Sequence, residues 1–363
     1  MSDRLDRNDA IDGEKLRDYA KLVFGSLGGA MTASMIYLGD RLGLYRELAA
    51  NGPASSGELA RRTGLDERWL REWLFQQGAS GVLEAGGDGR FQLSPEGRAV
   101  LADERHPAFG AGFFSHLPQS MAVLEQLPES FRSGVGLDYD ALGSEGARGI
   151  ERGLAPWFRA LLVPVVLPKL GDLVASMEDG AKVADVGCGA GVALLEMARA
   201  FPKSEFHGYD ISRHALERAE RNRVEAGVSN AAFHDAKSDP LPGDESFDFI
   251  VSFDCLHDMT DPSAVMRQVR AAIRPGGIWL IADIKAHASY QENVERNPMA
   301  AMMYGTSVLT CMSSALSEPG GLGLGTLGFH PELAREMTAE AGFAEFEEVD
   351  FDHPVNAFYV VRG

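Results

Sequence analysis

The stretch VADVGCGAGVALLEMA, residues 183–198, decides the fold of this chain. It reads as a buried strand that carries Asp185, a bend with glycines at 187, 189 and 191, and then an apolar helix. Glycine lets the backbone turn tightly and approach a ligand with no Cβ in the way. Asp210 follows nineteen residues after Gly191 and ends the next strand-like segment. A carboxylate there can accept both hydroxyls of a ribose, so the pattern predicts a site for an adenosine-type cofactor.

The segments that follow alternate between strands and helices. The predicted strands are AKVADVG (181–187), EFHGYD (205–210), AAFHDA (231–236), FDFIVSFD (247–254) and IWLIADI (278–284). The predicted helices between them are VALLEMARAF (192–201), RHALERAERNRVEAG (213–227) and PSAVMRQVRAAIRPGG (262–277). Strands separated by helices of this length predict an α/β fold with a Rossmann-like, doubly wound parallel sheet.

The N-terminal region has a different pattern. A short helix, a turn at Gly64 and a second helix with Trp69, Leu70, Trp73 and Leu74 at helical spacing precede two short strands joined by GGDG. Helix-turn-helix plus a hairpin predicts a mostly helical winged-helix domain. The second helix carries three acids against two arginines, and its tryptophans are expected to be buried, so we expect dimerisation rather than DNA binding.

These patterns divide the chain into four parts. We expect a mobile N-terminus over 1–14, the winged-helix domain over 15–105, and a helical linker over 106–170 that lines the pocket. The cofactor-binding domain is expected over 171–363.

Composition narrows the class of partner. Lys plus Arg number 34 and Asp plus Glu number 53, which gives a net charge of −19. Such a field repels phosphate backbones and anionic membranes, so we expect neither nucleic acid nor membrane as a partner. Three dispersed cysteines favour a reducing compartment. The absence of an apolar leader, and the interruption of ALLVPVVLPKL by Pro164 and Pro168, predict a cytoplasmic protein.

The glycine pattern distinguishes between cofactors. A dinucleotide fingerprint needs a glycine three residues after Gly189, where this chain has Val192. Together with Asp210, HDA (234–236), DESFDFIVSFDCLHDM (244–259) and AIRPGGIWLIADI (272–284), the motif DVGCGAG resembles class I S-adenosylmethionine-dependent methyltransferases. That resemblance implies S-adenosylmethionine as the cofactor. The positions it implies for cofactor binding are Asp185, Gly187, Gly189, Gly191, Asp210, Ile211, Asp235, Ala236 and Asp254.

The whole arrangement is similar to dimeric small-molecule methyltransferases with an N-terminal winged helix. That resemblance implies a homodimer and a small-molecule substrate. Two segments, SLGGAMTASMIYLGDRLGLY (26–45) and YGTSVLTCMSSALSEPGG (304–321), are also similar to bacterial S-methyltransferases that act on 4-methylthio-2-hydroxybutyrate in dimethylsulfoniopropionate synthesis. A second glycine-rich run, GLGLGTLG (321–328), follows no strand and is interpreted as a loop near the substrate entrance.

The histidine of FDCLHDMTDP (253–262) allows several interpretations. LHDMTD resembles the LHDWSD of plant-type O-methyltransferases, which implies that His257 is the general base and Asp258 its neighbour, with Met259 in place of the tryptophan. For a thioether acceptor no proton is lost, and His257 would only orient the substrate. Iron held by His257 and Asp258, as in an iron-assisted C-methyltransferase, needs a further ligand, and His287, His330 and His116 are available. No metal is our expectation.

The substrate pocket is expected to combine aromatic, sulfur-bearing and basic side chains. The residues selected are Phe114, His116, Trp157, Arg159, Met303 and Tyr304. An acidic substrate would need an arginine to bind its carboxylate, and Arg148 and Arg152 are the alternatives to Arg159. The competing interpretation of the whole chain is a ligand-sensing regulator that binds DNA through its winged helix.

Overall fold

A computed structural model describes residues 11–363 of the chain, which form two compact units, residues 11–104 and residues 105–363. Most of the segment predicted to be mobile, residues 1–10, lies outside the described residues. The remainder is ordered, because Asp12 caps a helix that begins at Gly13 by accepting hydrogen bonds from the Glu14 and Lys15 amides.

The first unit is mostly helical. Its helices are α1 (Gly13–Arg41), α2 (Leu44–Asn51), α3 (Ser56–Thr63), α4 (Glu67–Ala79) and α5 (Pro95–Leu101), and its short strands are β1 (Glu84–Ala85) and β2 (Phe91–Gln92). Ser55 and Glu58 form a reciprocal capping box that starts α3, and Gly64 ends it in a left-handed conformation. The antiparallel β1–β2 hairpin follows α4 and supplies the predicted wing.

The two tryptophans of α4 differ in burial. Trp73 is buried, and its indole N–H donates to the Met35 carbonyl over 3.0 Å. Trp69 is 81% exposed, so the expectation that both were buried is wrong for Trp69. Trp69 and Trp73 are four residues apart, but α4 places only Leu70, Trp73, Leu74 and Gln77 among its buried side chains. The Trp69 side chain, in the first turn of α4, therefore lies outside the core of this unit.

Helix α1 is unusually exposed for its composition. It is 29 residues long with a mean hydropathy of 1.4 over its most apolar window, only 6% of which is buried. By its length and apolar composition α1 could cross a membrane. Among the described residues, one other candidate for a membrane span exists if the bent helix pair Tyr139–Lys169 and Leu173–Asp179 is counted as a single span. Its large exposed apolar side chains are Leu16, Tyr19, Leu22, Val23, Phe24, Leu27, Met31 and Leu38.

The second unit begins with irregular helices. These are α6 (Leu117–Ala122), α7 (Leu127–Ser133), α8 (Gly143–Trp157) and α9 (Leu173–Asp179), with 3₁₀ turns at Ala111–Phe114, Val123–Glu125, Tyr139–Leu142 and Leu167–Lys169. Helix α8 continues into a π-helical segment, Phe158–Val166, that contains Pro164. A proline lacks the amide that an α-helix needs, which is consistent with the wider hydrogen-bond spacing here.

The rest of the unit is the predicted doubly wound sheet. Its strands are β3 (Lys182–Val186), β4 (Glu205–Asp210), β5 (Ala231–Asp235), β6 (Phe247–Phe253), β7 (Ile273–Ile284), β8 (Glu345–Val349) and β9 (Asn356–Arg362). Its helices are α10 (Val192–Ala200), α11 (Arg213–Ala226), α12 (Pro262–Ala272), α13 (Tyr290–Arg296), α14 (Ala300–Leu309), α15 (Cys311–Ala315) and α16 (Pro331–Glu340). A 3₁₀ turn, Leu256–Asp258, follows β6.

The strand order β5-β4-β3-β6-β7-β9-β8 places the earliest strand of the sheet near its centre. The strands from β3 to β7 pair in parallel, whereas β9 is antiparallel to both β7 and β8. Side chains alternate between two apolar layers: Val183 joins the core on one face, and Ala184 and Val186 join the core on the other. The predicted fold class, a Rossmann-like α/β sheet with an N-terminal winged helix, is confirmed.

Most predicted elements of the sheet agree with the structure to within a residue or two. The exception is the end of α12, which stops at Ala272, so that residues 273–277 belong to β7 rather than to the helix. Arg274-Pro275 explains the difference, because a residue before proline is disfavoured in helical conformation.

Candidate active site

A cavity of about 380 Å³ opens at the carboxyl ends of the parallel strands, where ligands bind in doubly wound folds. Of the residues predicted to bind the cofactor, those that line it are Asp185, Gly187, Gly189, Asp210, Ile211, Ala236 and Asp254. Asp258 also lines it. Asp235, Gly191 and His257 are not among the described residues that form its wall.

Two glycines of the loop occupy positions where a side chain would meet a close neighbour. Gly187 and Gly191 have φ values of 78° and 75°, in the left-handed region that favours glycine. A Cβ at Gly191 would lie 2.5 Å from Phe233 Cζ, and one at Gly187 would lie 2.6 Å from Cys255 Sγ. Gly191 therefore lets α10 begin close against β5, and Gly187 lets the loop pass the β6 edge.

Asp210 connects the loop to the end of β4. Its two carboxylate oxygens accept hydrogen bonds from the Gly189 and Ser212 amides, each over 2.8 Å. Ser212 in turn starts α11 and donates through its hydroxyl to Asp140. The acid predicted to bind a ribose is thus held rigidly at the wall of the cavity.

Asp185 is a buried acid of the cavity wall with an unpaired carboxylate oxygen. It is 1% exposed, and its Oδ1 atom has no hydrogen-bond partner. Burial, and then repulsion from Asp210, raises its pKa to about 8. A buried carboxylate in this situation is stabilised by a cationic ligand. The cavity wall also contains Glu151 and Asp258, so its chemistry fits a ligand with positive charge and a ribose.

Asp254 lies at the end of β6 in a strained conformation. Its φ is 50°, which is unfavourable for a residue with a side chain. The conformation is held because its amide donates to the Ala282 carbonyl over 2.8 Å and its carboxylate accepts from the Asn356 side chain. Burial, and then repulsion from Asp283, raises the pKa of Asp254 to about 7.

His257 is buried beside the cavity and bound to an acid from the neighbouring strand. Its Nδ1 atom lies 2.6 Å from Asp283 Oδ1, and the two side chains are 4% and 1% exposed. Burial alone would lower the pKa of His257, but attraction to the Asp283 carboxylate and then to Cys311 outweighs burial and raises it well above the usual value. Asp283 lies near the end of β7, so the pair joins two adjacent strand ends.

The glycine-rich run 321–328 is a loop that packs directly on the His257 turn. The Gly325 amide donates to the His257 carbonyl and the Leu322 amide donates to the Thr260 carbonyl, each over 3.0 Å. A Cβ at Gly325 would lie 2.3 Å from Ser307 Oγ. The run was predicted to be a loop near the substrate entrance, and the structure places it against the histidine that precedes α12.

The helical segment before the sheet contributes residues that sequence reasoning missed. Glu151 of α8 accepts from Arg218 over 2.7 Å and from Asn222 over 3.0 Å. Asn222 also donates to the Ala190 carbonyl, which ties α8 to the glycine loop. Tyr139 lines the cavity as well, and burial raises its pKa well above the usual value. No spacing rule connects these positions to the sheet, because the contacts are tertiary.

The residues predicted for the substrate pocket are dispersed, and none of them lines this cavity. Trp157 lies 4.9 Å from His353 and stacks on Phe358. Met303 Sδ accepts from Asn297, and Tyr304 lies 6.0 Å from Tyr290. Phe114 ends a 3₁₀ turn, and His116, whose pKa is lowered by burial, packs against Gly149 of α8. Their role in substrate binding stays a prediction.

The three arginines predicted as carboxylate ligands all have partners. Arg159 Nε lies 3.6 Å from Glu196, Arg148 pairs with Glu145 over 3.1 Å, and Arg152 donates to Ser115 over 2.7 Å. Because each arginine already has a partner, an acidic substrate whose carboxylate binds one of these three arginines is less favoured.

The histidines considered as metal ligands lie in different surroundings, and the buried Nδ1 atom of His116 has no hydrogen-bond partner. His330 caps α16 and lies 2.9 Å from Glu332, and the His287 amide donates to Asn293. Among the described residues, no group of three or more His, Cys, Asp or Glu side chains has the geometry to hold a metal ion.

Comparison with known families agrees with this architecture. Residues 177–342 match a family described as "Methyltransferase domain", and residues 30–102 match one described as "Rv2258c-like winged HTH domain".

Two curated relatives illustrate the range of similarity. The chain is 34% identical over 111 residues to a ubiquinone biosynthesis O-methyltransferase of Ralstonia nicotianae, which covers 30% of this chain and 45% of the relative. It is 27% identical over 276 residues to a mitomycin biosynthesis 6-O-methyltransferase of Streptomyces lavendulae, covering 71% of this chain and 75% of the relative. The match spans less than half the length of the first three curated relatives.

Among solved structures, human N-acetylserotonin methyltransferase in complex with S-adenosylmethionine superposes with a TM-score of 0.67. The sequence identity is 17%, and the match covers 98% of this chain and 99% of that one. At this identity the likeness shows the fold. Because residues 177–342 match the methyltransferase family model, the second unit contains an S-adenosylmethionine-dependent methyltransferase domain, and the predictions of enzyme class and cofactor are confirmed at the level of this domain.

Proposed function

We propose that the protein transfers a methyl group from S-adenosylmethionine to a hydroxyl oxygen of a small organic molecule. The observation that carries the proposal is the buried His257–Asp283 pair beside an acidic cavity whose wall contains a glycine loop and Asp210. When bound, the cofactor supplies a methyl group activated by a sulfonium centre. The chain must then hold that group and remove the proton of the acceptor.

The residues at the carboxyl edge of the sheet divide the work of holding the cofactor. Asp210 is placed to accept the ribose hydroxyls, because its oxygens are already oriented by the Gly189 and Ser212 amides. Asp185, whose Oδ1 atom has no hydrogen-bond partner, would supply negative charge for the cationic end, because a cationic ligand favours its ionised form. Ala236, Tyr209 and Leu241 form an apolar wall suited to the base.

The acceptor atom is inferred from the need for a base. A phenol of pKa about 10 is ionised to about one part in a thousand at neutral pH, so its activation contributes about 4 kcal/mol. A thioether has no proton to lose and gains only from alignment and exclusion of water. The Asp283 carboxylate bound to the buried His257 imidazole would help to remove the proton of a hydroxyl acceptor. Methylation of a thioether does not need this pair, because no proton is removed. The relatives whose names specify an O-methyltransferase agree with oxygen.

The test is a panel of acceptors scored by release of S-adenosylhomocysteine. It should contain phenols, aliphatic hydroxy compounds and the thioether 4-methylthio-2-hydroxybutyrate. Turnover of a hydroxyl acceptor, with the methyl group located on oxygen by mass spectrometry, supports the proposal. Turnover of the thioether alone would replace it with S-methylation.

Cofactor binding is tested separately by calorimetry. Gly189→Arg fills the loop and Asp210→Ala removes the ribose acceptor, so both variants should lose binding. Full affinity in both would contradict the assignment of the cavity.

The rival proposal is a regulator that binds DNA through its winged helix, and it predicts a salt-dependent shift of DNA. Helix α4 argues against this proposal, because Arg68 is paired with Glu72 and Arg71 is paired with Glu67.

We also propose that the protein is a cytoplasmic homodimer. The exposed apolar side chains of α1, which the first unit does not bury, give the second copy a surface to cover. Burial by a second copy accounts for this helix without a membrane.

A further inference from the structure

The peptide bond between Ala190 and Gly191 forms part of the cavity wall and depends on its hydrogen bonds for a fixed orientation. Ala190 lines the cavity, and the glycines on either side of it have positive φ. Because glycine has no Cβ to restrict rotation, this peptide can turn over unless both of its polar groups are held. The cofactor-binding form of the loop therefore needs partners for one amide and one carbonyl.

One of these partners lies within the loop and the other comes from a different element. The Gly191 amide donates to the Cys188 carbonyl over 2.9 Å. The Ala190 carbonyl accepts from the side-chain amide of Asn222 on α11, also over 2.9 Å. The orientation of the peptide thus depends on a side chain about thirty residues further along the chain.

Asn222 is itself held by Glu151 of α8. A side-chain amide nitrogen has two hydrogens, and the second one is donated to Glu151 Oε1 over 3.0 Å. The carboxylate of Glu151 is 8% exposed as a residue and is fixed by a two-pronged contact with Arg218, Nε to Oε2 over 2.7 Å and Nη2 to Oε1 over 3.3 Å. A buried carboxylate held in this way presents a fixed acceptor to Asn222.

We propose that Glu151 and Asn222 are positioning residues that hold the glycine loop in the conformation that binds the cofactor. Glu151 orients the amide of Asn222, and that amide orients the carbonyl of Ala190. A loop that is ordered before binding does not lose that freedom when the cofactor arrives, so the affinity is higher. The inference rests on the assignment of the cavity to S-adenosylmethionine and does not depend on which acceptor is methylated.

The first test removes the contact with the loop. Asn222→Ala leaves the Ala190 carbonyl without its donor, so the Kd for S-adenosylmethionine, measured by calorimetry, should rise about tenfold, the effect of one hydrogen bond. Glu151→Gln keeps an oxygen that can accept from Asn222, so its effect should be smaller. Glu145→Gln is the matched control: it neutralises an acid of the same helix that is 44% exposed and pairs with Arg148, and it should leave the Kd unchanged.

The second test separates positioning of the loop from general stability by exchanging the pair. In the double variant Glu151→Gln with Asn222→Asp, the amide stands on α8 and the carboxylate on α11, so one can again donate to the other. The Ala190 carbonyl still has no donor, because a carboxylate only accepts. The urea midpoint should therefore recover relative to Asn222→Asp alone, while the Kd for the cofactor stays raised about tenfold.

Hydrogen–deuterium exchange reports on the loop without any ligand. In Asn222→Ala the peptide that covers residues 187–192 should exchange faster than in the wild type, and saturating S-adenosylmethionine should slow it again. The peptide that covers β6 is the internal control and should exchange at the same rate in both proteins.

Three results would overturn the inference. The first is a wild-type Kd in Asn222→Ala, and the second is an exchanged pair that recovers affinity together with stability. The third is a greater loss of affinity in Glu151→Gln than in Asn222→Ala, which would mean that Glu151 contacts the cofactor directly. Failure of the proposed function looks different: wild-type protein would bind the cofactor but methylate no hydroxyl acceptor, and the Kd values of the variants would still decide the role of Glu151 and Asn222.

Discussion

At the scale of single residues, Asp185 links cofactor binding to pH. Its pKa is about 8 in the free protein, so the carboxyl is largely protonated at pH 6. A cationic ligand favours the charged form and lowers this pKa, so binding should release a proton. We expect affinity for S-adenosylmethionine to rise up to about tenfold per pH unit between pH 6 and 8, and then to level off.

Calorimetry in two buffers of different ionisation enthalpy measures this proton release. The matched variant is Asp185→Asn, which keeps the shape of the side chain and cannot titrate. It should bind more weakly above pH 8 and show a flatter pH profile. A residual slope near pH 7 is expected from Asp254, whose pKa is about 7. An unchanged slope in the variant would refute the assignment to Asp185.

His257 gives a prediction that separates acceptor atoms. His257→Ala removes the partner of Asp283 beside the cavity, so turnover of a hydroxyl acceptor should fall about 10²–10⁴-fold. Turnover of a thioether acceptor, if the protein accepts one, should fall less than about tenfold, because no proton is lost. Steady-state kinetics on both acceptor classes checks this, with the Kd of the cofactor as the control. Equal losses on the two classes would mean that His257 only orients the substrate.

Sequence reasoning found the acids of this edge more easily than their partners. Asp185, Asp210 and Asp254 each end or closely follow a strand segment, and parallel strands bring such positions together. Asp283 lies near the carboxyl end of β7, so its position relative to a strand end could also have identified it as a candidate site residue.

At the scale of elements, the glycine loop offers a paired test of packing against backbone strain. Gly189 and Gly191 both have positive φ, but only a Cβ at Gly191 would meet a neighbour, Phe233. Gly189→Ala should cost about 1 kcal/mol of unfolding free energy from backbone strain alone. Gly191→Ala should cost about 1–3 kcal/mol more, because the ring of Phe233 must move in a packed core.

Chemical denaturation of the two variants measures this difference. Circular dichroism should show the wild-type helix content for both, so that the comparison reports stability rather than misfolding. Equal losses would mean that α10 and β5 can separate without cost.

Helix and strand boundaries were predictable wherever apolar periodicity ran uninterrupted, as in β4 and α10. The irregular segment between 106 and 170 was predicted only as a helical linker. Its 3₁₀ and π turns, and the position of Tyr139 and Glu151 in the cavity, follow from packing against α11 and the glycine loop. Propensity contains no information about such contacts.

At the scale of the whole molecule, α1 predicts the state of association. If a second copy covers its apolar side chains, Phe24→Glu should shift the protein toward monomer, because it places a charge in an apolar interface. Lys21→Glu is the matched control: it introduces the same acid on the same helix at a position whose side chain is already charged and 79% exposed.

Analytical ultracentrifugation measures both variants, and flotation with anionic and neutral vesicles tests the alternative. Wild-type protein that sediments as a dimer and stays off both vesicles supports the proposed homodimer. A monomer that floats with vesicles would assign α1 to a membrane surface instead.

The position of β9 has a consequence for synthesis. Residues 356–362 lie between β7 and β8 in the sheet, although they are the last strand of the described chain to leave the ribosome. Asn356 on this strand also holds the strained Asp254 at the cavity wall. A nascent chain translated only through β8 therefore has an open edge at β7 and an unsupported carboxylate in its cofactor site. The acidic edge where chemistry is proposed is therefore complete only after β9 has been made and has paired with β7.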